Sequence, residues 1–375
     1  MMKIPFLSLS IPDRTERENL LKAVDKVLAH GQLINGPELE QLESRVSNFC
    51  GKRYAVGVNS GTDALFLALR SLGIGSGDEV ITTSLSWIAT ANAIALTNAT
   101  PVFADIRDDL NLDPESVKER ISERTRAILP VHYTGKICDM ENLLDIAERN
   151  RLFVIEDAAQ AFGSEKGGRK AGAFGDLACY SMNPMKIFAA CGEAGIIVTD
   201  RKDLYDRLLS LRYNGTVMKE RCIEPSLNCR MDTLQAAILL SRYDNVPDNI
   251  ARRREIASWY NHLLADIVET PTEKEDEYDS YYTYTIKTNE RDLLKEYLAS
   301  HGIESKIQHP ILMPGQPAYN TAKPVYCPNA ERLVKKILSL PASEKITKTE
   351  VEYVAACVKA FFEKASFRDL AESSG

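Results

Sequence analysis

The chain has 375 residues, of which 44% are hydrophobic and 26% are charged, a composition typical of globular proteins. Its length exceeds what one hydrophobic core usually serves, so we expect two domains. The 46 basic and 53 acidic residues give a net charge of −7, which argues against nucleic acid or an anionic membrane surface as the main partner.

The 8 cysteines include no C-x-x-C pair, so neither a zinc site nor a dithiol redox site is indicated. No metal is expected. No apolar stretch is long enough to cross a bilayer. Because no signal peptide is recognisable, we expect a cytoplasmic protein with reduced thiols.

The first two thirds of the chain alternate short apolar, β-branched runs with helical patterns. The runs predicted as strands are residues 54–58, 79–83, 101–104, 126–131, 152–156, 177–181 and 194–199. The helices predicted between them are residues 62–72, 87–97, 114–121 and 140–150. This alternation predicts an α/β fold with a mostly parallel central sheet flanked by helices. Ligands of such sheets bind beyond the carboxyl ends of the strands.

The pattern changes toward the C-terminus. Residues 236–243 and 249–264 are predicted as helices, and the second is expected to link two domains. A strand at 281–288 and helices at 291–301, 330–337 and 349–362 follow. We therefore predict a large domain at residues 1–248, including the N-terminal segment, and a smaller α+β domain at residues 249–375.

Three sequence features together predict a site for pyridoxal phosphate. Asp157 follows one predicted strand, Lys186 follows another, and Ser60-Gly61-Thr62 opens a predicted helix. In such a site the acid pairs with the pyridine nitrogen, the lysine bonds covalently to the aldehyde, and amides at the helix start bind the phosphate. Taken singly, each feature has an ordinary alternative: a surface lysine for Lys186, a capping or salt-bridging aspartate for Asp157, and a plain helix cap for Ser60-Gly61-Thr62.

Further motifs occur in a fixed order along nearly the whole chain, and with them the chain resembles the DegT/DnrJ/EryC1/StrS group of sugar aminotransferases. The motifs are residues 31–37 (GQLINGP), 60–65 (SGTDAL), 77–81 (GDEVI), 130–132 (PVH), 156–160 (EDAAQ), the Lys186 segment, 228–232 (NCRMD), 328–331 (PNAE) and 338–341 (LSLP). The resemblance implies a fold type I pyridoxal phosphate enzyme that works as a homodimer.

The resemblance also assigns roles around the cofactor ring. It implies that Lys186 carries the cofactor and then acts as general acid and base, while Asp157 keeps the ring nitrogen protonated. Gln160 is expected near the phenolic oxygen, although it could be only a polar helix residue. Trp87 is expected to stack on the ring, with a core tryptophan as the alternative.

The phosphate is expected to lie between Gly61, Thr62 and Ser181, of which Ser181 matches the second phosphate hydroxyl of the family. Asn228 matches an asparagine that reaches across the dimer interface to the phosphate in the other subunit, and the alternative is a turn residue. If the match holds, each active site is built by two subunits.

The substrate contacts are less defined. His132 ends a predicted strand and either faces the cleft or is a core histidine. His309 and Arg230 are also predicted near the substrate. Phe162 replaces a histidine of many relatives, and Met182 stands where relatives often have phenylalanine, so these positions leave the substrate's identity open.

These observations predict a pyridoxal phosphate-dependent transaminase. The expected reaction moves the amino group of L-glutamate to a keto group of a dTDP-, UDP- or GDP-linked deoxysugar. One alternative is amination of a keto-cyclitol or another keto substrate without a nucleotide. The other is a cofactor-binding regulatory protein, although no DNA-binding segment is recognisable.

Overall fold

The computed structural model describes residues 2–218, 220–319 and 325–372, with side chains through residue 363. The strands are β1 (Tyr54–Val58), β2 (Glu79–Thr83), β3 (Thr100–Ala104), β4 (Thr125–Leu129), β5 (Phe153–Asp157), β6 (Glu165–Lys166), β7 (Arg169–Lys170), β8 (Leu177–Ser181), β9 (Gly195–Thr199), β10 (Thr216–Val217), β11 (Arg221–Cys222), β12 (Glu277–Tyr278), β13 (Tyr284–Lys287) and β14 (Ile337–Leu340). The α-helices are α1 (Arg14–His30), α2 (Pro37–Cys50), α3 (Gly61–Ser71), α4 (Ala89–Leu96), α5 (Pro114–Lys118), α6 (Met140–Asn150), α7 (Lys202–Leu211), α8 (Thr233–Tyr243), α9 (Val246–Leu264), α10 (Arg291–Ser300), α11 (Pro328–Leu333) and α12 (Lys348–Glu372).

A 7-stranded sheet with the order β1-β9-β8-β5-β4-β2-β3 forms the centre of the fold. Strands β3, β2, β4, β5 and β8 pair in parallel, whereas β9 runs antiparallel to both β8 and β1. The predicted α/β fold with a mostly parallel sheet is therefore confirmed. Within this sheet the largest shift of a strand end is at β4, which stops at Leu129 where 131 was predicted. Outside the sheet, β13 begins at Tyr284, three residues after the predicted start at 281.

Both faces of this sheet are buried, which explains why its strands read as continuous apolar runs. Successive residues point to opposite faces: Ile128 and Val154 join one apolar cluster, while Ala127 and Ile155 join the other. Helices α2 and α6 contribute to the first cluster, and α3 and α7 to the second. The sheet is thus covered on both sides, and only its ends are open to a ligand.

Side-chain caps set several helix starts. The Asp113 side chain accepts a hydrogen bond from the Glu115 N–H, and Pro114 occupies the first helical position, as predicted. Helix α5 nevertheless stops at Lys118, before the predicted end at 121. Helices α1, α2 and α7 were not predicted from sequence. None of the described helices is both long enough and apolar enough to span a membrane.

A separate C-terminal apolar cluster is built by α9, α10, α12, β13 and β14, together with Ile4. Helix α9 bridges the two parts of the molecule, because Ile250 packs in a sheet cluster while Ile256 and Tyr260 pack in the C-terminal cluster. This agrees with the predicted linking helix, and the domain boundary at 248 stays a prediction.

The predicted helix at 330–337 is wrong in its second half. Helix α11 ends at Leu333, and Ile337–Leu340 forms strand β14, which pairs antiparallel with β13. All four residues of β14 are buried. A short apolar run cannot be assigned to helix or strand by periodicity alone, and here pairing with β13 decides the outcome.

Candidate active site

The carboxyl ends of two neighbouring strands and the start of one helix meet at one edge of the sheet. Strand β5 ends at Asp157 and pairs with β8, which ends at Ser181. Helix α3 begins at Gly61, where an added Cβ would lie 2.6 Å from the Ser181 Cβ and 3.0 Å from its Cα. Only glycine therefore allows this close approach.

The start of α3 has the features of a phosphate site. The Ser60 hydroxyl accepts a hydrogen bond from the Asp63 N–H at 3.0 Å and donates to the Asp63 carboxylate at 2.8 Å. The first N–H groups of a helix have no partner within it, and the helix dipole favours an anion there. With Ser181 beside Gly61, backbone amides and a hydroxyl converge, and these residues fit a phosphate group.

Asp157 is a buried carboxylate, 4% exposed. It accepts hydrogen bonds from the Thr90 hydroxyl at 2.9 Å and from the Ala159 N–H at 3.2 Å. Burial raises the pKa of Asp157, an effect opposed by the Thr90 hydrogen bond and by the charge of Lys186. No described residue forms an ion pair with Asp157, so the salt-bridge alternative has no support. A protonated pyridine nitrogen would supply the missing positive charge.

Lys186 lies in the loop between β8 and β9 and is partly buried. Its backbone N–H donates to the Asn183 carbonyl at 2.9 Å, which forms a tight turn. Its Nζ lies 3.4 Å from the Tyr282 hydroxyl and 4.4 Å from the centre of the Tyr282 ring. The loop thus holds the amine inside the site, where a surface lysine would be solvated.

Trp87 is 62% exposed, which excludes the alternative of a core tryptophan. Its ring lies 6.0 Å from the ring of His309. The pKa of His309 is lowered to about 4 by burial and by the charges of Lys186 and Lys306. Trp87, His309 and Lys186 therefore lie close together, and their roles toward cofactor and substrate stay predictions.

Gln160 and His132 both make internal contacts. Gln160 lies in a turn rather than a helix, and its side-chain oxygen accepts from the Thr134 N–H at 2.9 Å. His132 is fully buried; its Nε2 lies 2.9 Å from a Glu156 carboxylate oxygen, and its Nδ1 accepts from the Cys138 N–H at 3.2 Å. Because both ring nitrogens are engaged, His132 is the core histidine that the sequence left open, and its predicted contact with substrate has no support.

Asn228 and Arg230 form a joined pair at the edge of the site. The Arg230 Nε donates to the Asn228 side-chain oxygen at 2.8 Å, and the guanidinium lies 4.2 Å from the centre of the Tyr213 ring. The carbonyl between them, on Cys229, accepts from the Asn59 N–H at 2.9 Å, next to the start of α3. Asn228 is exposed.

Thr90, Tyr282 and Tyr133 belong to the site but were not predicted. The Tyr133 hydroxyl lies 3.0 Å from the His309 Nδ1. Thr90 was read only as part of a helix, and Tyr282 only as part of a strand. No local pattern marks them, because each reaches the site through a contact with a residue far along the chain.

Comparison with known proteins agrees with this geometry. A family model described as the DegT/DnrJ/EryC1/StrS aminotransferase family matches residues 14–359. The chain is 37% identical over 361 residues to a dTDP-3-amino-3,6-dideoxy-alpha-D-galactopyranose transaminase of Aneurinibacillus thermoaerophilus, covering 96% of this chain and 99% of the relative. It is 35% identical over 321 residues to a 3-oxo-glucose-6-phosphate:glutamate aminotransferase of Bacillus subtilis (strain 168), covering 83% and 72%.

A solved structure gives the same result. The crystal structure of NtdA from Bacillus subtilis, with the cofactor PMP bound, superposes with a TM-score of 0.91 at 32% identity, covering 96% of this chain and 85% of NtdA. The chain belongs to the DegT/DnrJ/EryC1/StrS aminotransferase family and is a pyridoxal phosphate-dependent transaminase.

Proposed function

We propose that the protein moves the amino group of L-glutamate to the keto carbon of a deoxysugar linked to dTDP, UDP or GDP. The observation that carries the proposal is the convergence of Asp157, Lys186 and the Gly61–Ser181 contact at one edge of the sheet. The Aneurinibacillus relative, named for a dTDP-amino sugar, supports the nucleotide-linked acceptor. The Bacillus subtilis relative, named with glutamate, supports the donor.

Each residue of the candidate site has a separate role in the proposed reaction. Pyridoxal phosphate, when bound, supplies an electron sink next to the carbon that loses or gains the amino group. The Asp157 carboxylate keeps a proton on the ring nitrogen, and Thr90 and the Ala159 N–H fix its orientation. The Lys186 amine would remove the proton from that carbon and return it to the carbon on the other side of the transferred nitrogen, a 1,3 shift. Trp87 offers an exposed aromatic face to the ring.

A cleft of about 740 Å³ borders the Lys186 loop, and Lys186 is the one residue of the site described above that lines it. It is lined by the N-terminal segment from Leu7 to Asp13, the Lys186 loop, and the start of α9. Organic ligands usually occupy pockets of roughly 300–1,000 Å³. The cleft therefore has the volume of an organic ligand's pocket, and its lining does not include Asp157, Trp87 or His309.

The cofactor's absorbance tests the proposed reaction directly. We expect L-glutamate to bleach the band of the pyridoxal form, and one of a panel of dTDP-, UDP- or GDP-linked keto sugars to restore it. Restoration by a keto-cyclitol or a free keto sugar alone would replace the nucleotide-sugar assignment. A band that no amino donor bleaches would favour the regulatory alternative.

We also propose that each site is completed by the other subunit of a homodimer through Asn228. The stretch that leads to Asn228 exposes Val217 (41%), Met218 (86%), Ile223 (58%) and Leu227 (51%). Exposed apolar patches of this kind mark interaction surfaces, and a second copy of the chain would cover this one.

Mixing two inactive variants tests the shared site. Lys186→Ala removes the lysine, and Asn228→Trp blocks the proposed cross-subunit contact. A heterodimer of the two has one site with both native residues, so the mixture should regain activity, whereas a mixture of two Asn228 variants should not. Sites confined to one subunit predict no recovery, and a fully active monomer would exclude the proposal.

A further inference from the structure

The buried hydroxyl of Tyr133 is the hydrogen-bond partner of His309. Tyr133 is 1% exposed, and its backbone N–H donates to the Asn111 side chain at 2.9 Å, which fixes its position. Its hydroxyl lies 3.0 Å from the His309 Nδ1, and no other hydrogen bond to this hydroxyl occurs among the described residues. Burial raises the pKa of Tyr133, so the hydroxyl keeps its proton.

The direction of this hydrogen bond follows from the energetics of burial. A buried hydroxyl whose hydrogen has no acceptor costs about 1–3 kcal/mol. The Nδ1 of His309 is the only acceptor that the described residues offer to Tyr133. Tyr133 therefore donates, and Nδ1 accepts through its lone pair.

The protonation state and the tautomer of His309 follow from this hydrogen bond. Burial and the charges of Lys186 and Lys306 lower its pKa to about 4, so the ring is neutral at physiological pH. A neutral imidazole whose Nδ1 accepts carries its hydrogen on Nε2. Among residues 2–218, 220–319 and 325–363, whose side chains the structure describes, none accepts a hydrogen bond from Nε2. His309 thus offers an unused N–H donor next to the exposed ring of Trp87.

The backbone at His309 is also unusual. Its φ is 51°, in the left-handed region that side-chain-bearing residues seldom occupy. Strained residues of this kind persist where the surrounding structure fixes them, and they cluster at functional sites.

We propose that Tyr133 fixes the tautomer of His309 so that its Nε2–H donates to a hydroxyl or keto oxygen of the sugar acceptor. The proposal rests on the proposed function, since it needs an acceptor with such an oxygen. A neutral donor suits an uncharged sugar oxygen. The pair thereby contributes to selection of the sugar over the amino acid donor, and Tyr133 acts as a positioning residue.

Two half-reactions of the holoenzyme test this role with one optical signal. The pyridoxal form is bleached either by L-glutamate or by an amino-sugar nucleotide, with dTDP-3-amino-3,6-dideoxy-alpha-D-galactopyranose as the first probe and UDP- and GDP-linked amino sugars as the next. Tyr133→Phe and His309→Asn should lower kcat/KM about tenfold with the sugar, as expected for one lost hydrogen bond, and less than about twofold with glutamate.

Matched variants separate the hydrogen bond from the packing of the ring. The amide of His309→Gln places an N–H near the position of Nε2, so it should recover much of the sugar reaction. The His309→Asn variant tolerates the left-handed backbone, but its shorter side chain does not bring the amide to the position of Nε2. His262→Gln, at an exposed position of α9, serves as the distant control.

The tautomer is measured independently by nitrogen NMR of the holoenzyme with ¹⁵N-labelled histidine. We expect His309 to show hydrogen on Nε2 and a bare Nδ1, and Tyr133→Phe to admit the other tautomer. Hydrogen on Nδ1 in the native protein would overturn the proposal, as would equal losses with sugar and glutamate. If glutamate bleaches the native enzyme and no amino-sugar nucleotide does, the proposed function fails and the sugar contact fails with it, while the NMR result still decides the tautomer.

Discussion

The two walls of the candidate active site are built in different ways. The cofactor wall, defined by Asp157, Ser181 and Gly61, consists of strand ends and a helix start held by the central sheet. The acceptor wall, defined by Tyr282 and His309, consists of connections between C-terminal elements. Tyr281, next to Tyr282, and His309 have left-handed φ values of 47° and 51°. Regular structure fixes the cofactor wall, whereas individual side-chain contacts fix the acceptor wall.

Arg253 shows how such a contact works. It is 4% exposed, and its guanidinium donates to the carbonyls of Tyr281 at 3.4 Å and Tyr282 at 3.2 Å. It also pairs with Glu344 at 2.7 Å. Helix α9, which links both parts of the molecule, thus holds Tyr282 against Lys186. Because the cofactor takes part in both half-reactions, changes in the cofactor wall should slow both of them, whereas changes at His309 and Tyr133 should mainly slow the half-reaction with the sugar.

The largest effect is expected at Lys186. Lys186→Ala removes both the covalent link to the cofactor and the amine that moves the proton, so turnover should be abolished and the band of the linked cofactor lost. Absorbance and a glutamate-dependent assay measure both. Lys202→Ala, on the exposed face of α7, should behave as the native enzyme. Near-full activity of Lys186→Ala would exclude the assigned role.

The next largest effect is expected at Asp157. An asparagine cannot hold the ring nitrogen protonated as firmly, so both half-reactions should slow by about a hundredfold or more, equivalent to roughly 3 kcal/mol. Thr90→Val, which removes only the hydrogen bond to Asp157, should have a smaller effect of about tenfold. A loss below about tenfold in Asp157→Asn would show that the carboxylate is not the partner of the ring.

Gly61→Ala tests the phosphate side of the cofactor wall. The added methyl group would lie 2.6 Å from the Ser181 Cβ and must push the helix start away from β8. Overpacking of this kind costs about 1–3 kcal/mol, so cofactor affinity should fall about tenfold or more, as measured by equilibrium dialysis of pyridoxal phosphate. Gly75→Ala is the matched control, because its nearest atom is 3.5 Å away. Equal affinities of the two variants would contradict the phosphate site proposed at the start of α3.

The difference between the walls also explains what sequence could predict. Asp157, Lys186 and Gly61 stand next to predicted strands or a helix start, and the structure has strand ends and a helix start at these places, so local pattern was enough to single them out. Tyr282 and Tyr133 reach their partners across 96 and 176 positions of the chain. Such contacts depend on how the C-terminal connections pack, which no local pattern encodes. The same limit explains β14, where pairing with β13 decided the structure.

A smaller effect is expected at Tyr282. Tyr282→Phe keeps the ring against the Lys186 amine and loses only a long hydrogen bond of 3.4 Å, so the glutamate half-reaction should slow only about two- to tenfold. Tyr282→Leu also loses the ring contact and should slow it further. Tyr278→Phe, at an exposed position nearby, is the control. If Tyr282→Leu matches the native rate, the lysine is positioned by its own loop alone.

The smallest effect is expected at Asp279, where the segment that carries Tyr282 meets the sheet. Asp279 is 5% exposed and lies 3.3 Å from the Lys136 amine. Its backbone N–H donates to Glu273, whose partner Arg254 also donates to the Asp279 carbonyl at 2.9 Å. Burial raises the pKa of Asp279 to about 7. The charge of Lys136 opposes this shift, and the charges of Glu273 and Glu277 add to it.

The sign of the pH effect follows from this raised pKa. The folded protein holds the Asp279 proton more tightly than the unfolded chain, whose ordinary value is 3.8, so stability falls as pH rises from about 4 to about 7. Asp279→Asn cannot ionise and should avoid this loss. Its melting temperature relative to the native holoenzyme should therefore rise with pH and reach a gain of about 2–4 °C at pH 8. Asp276→Asn, exposed in the same segment, should show no such trend. A gain that is independent of pH would mean that packing, rather than ionisation of Asp279, limits the stability of this junction.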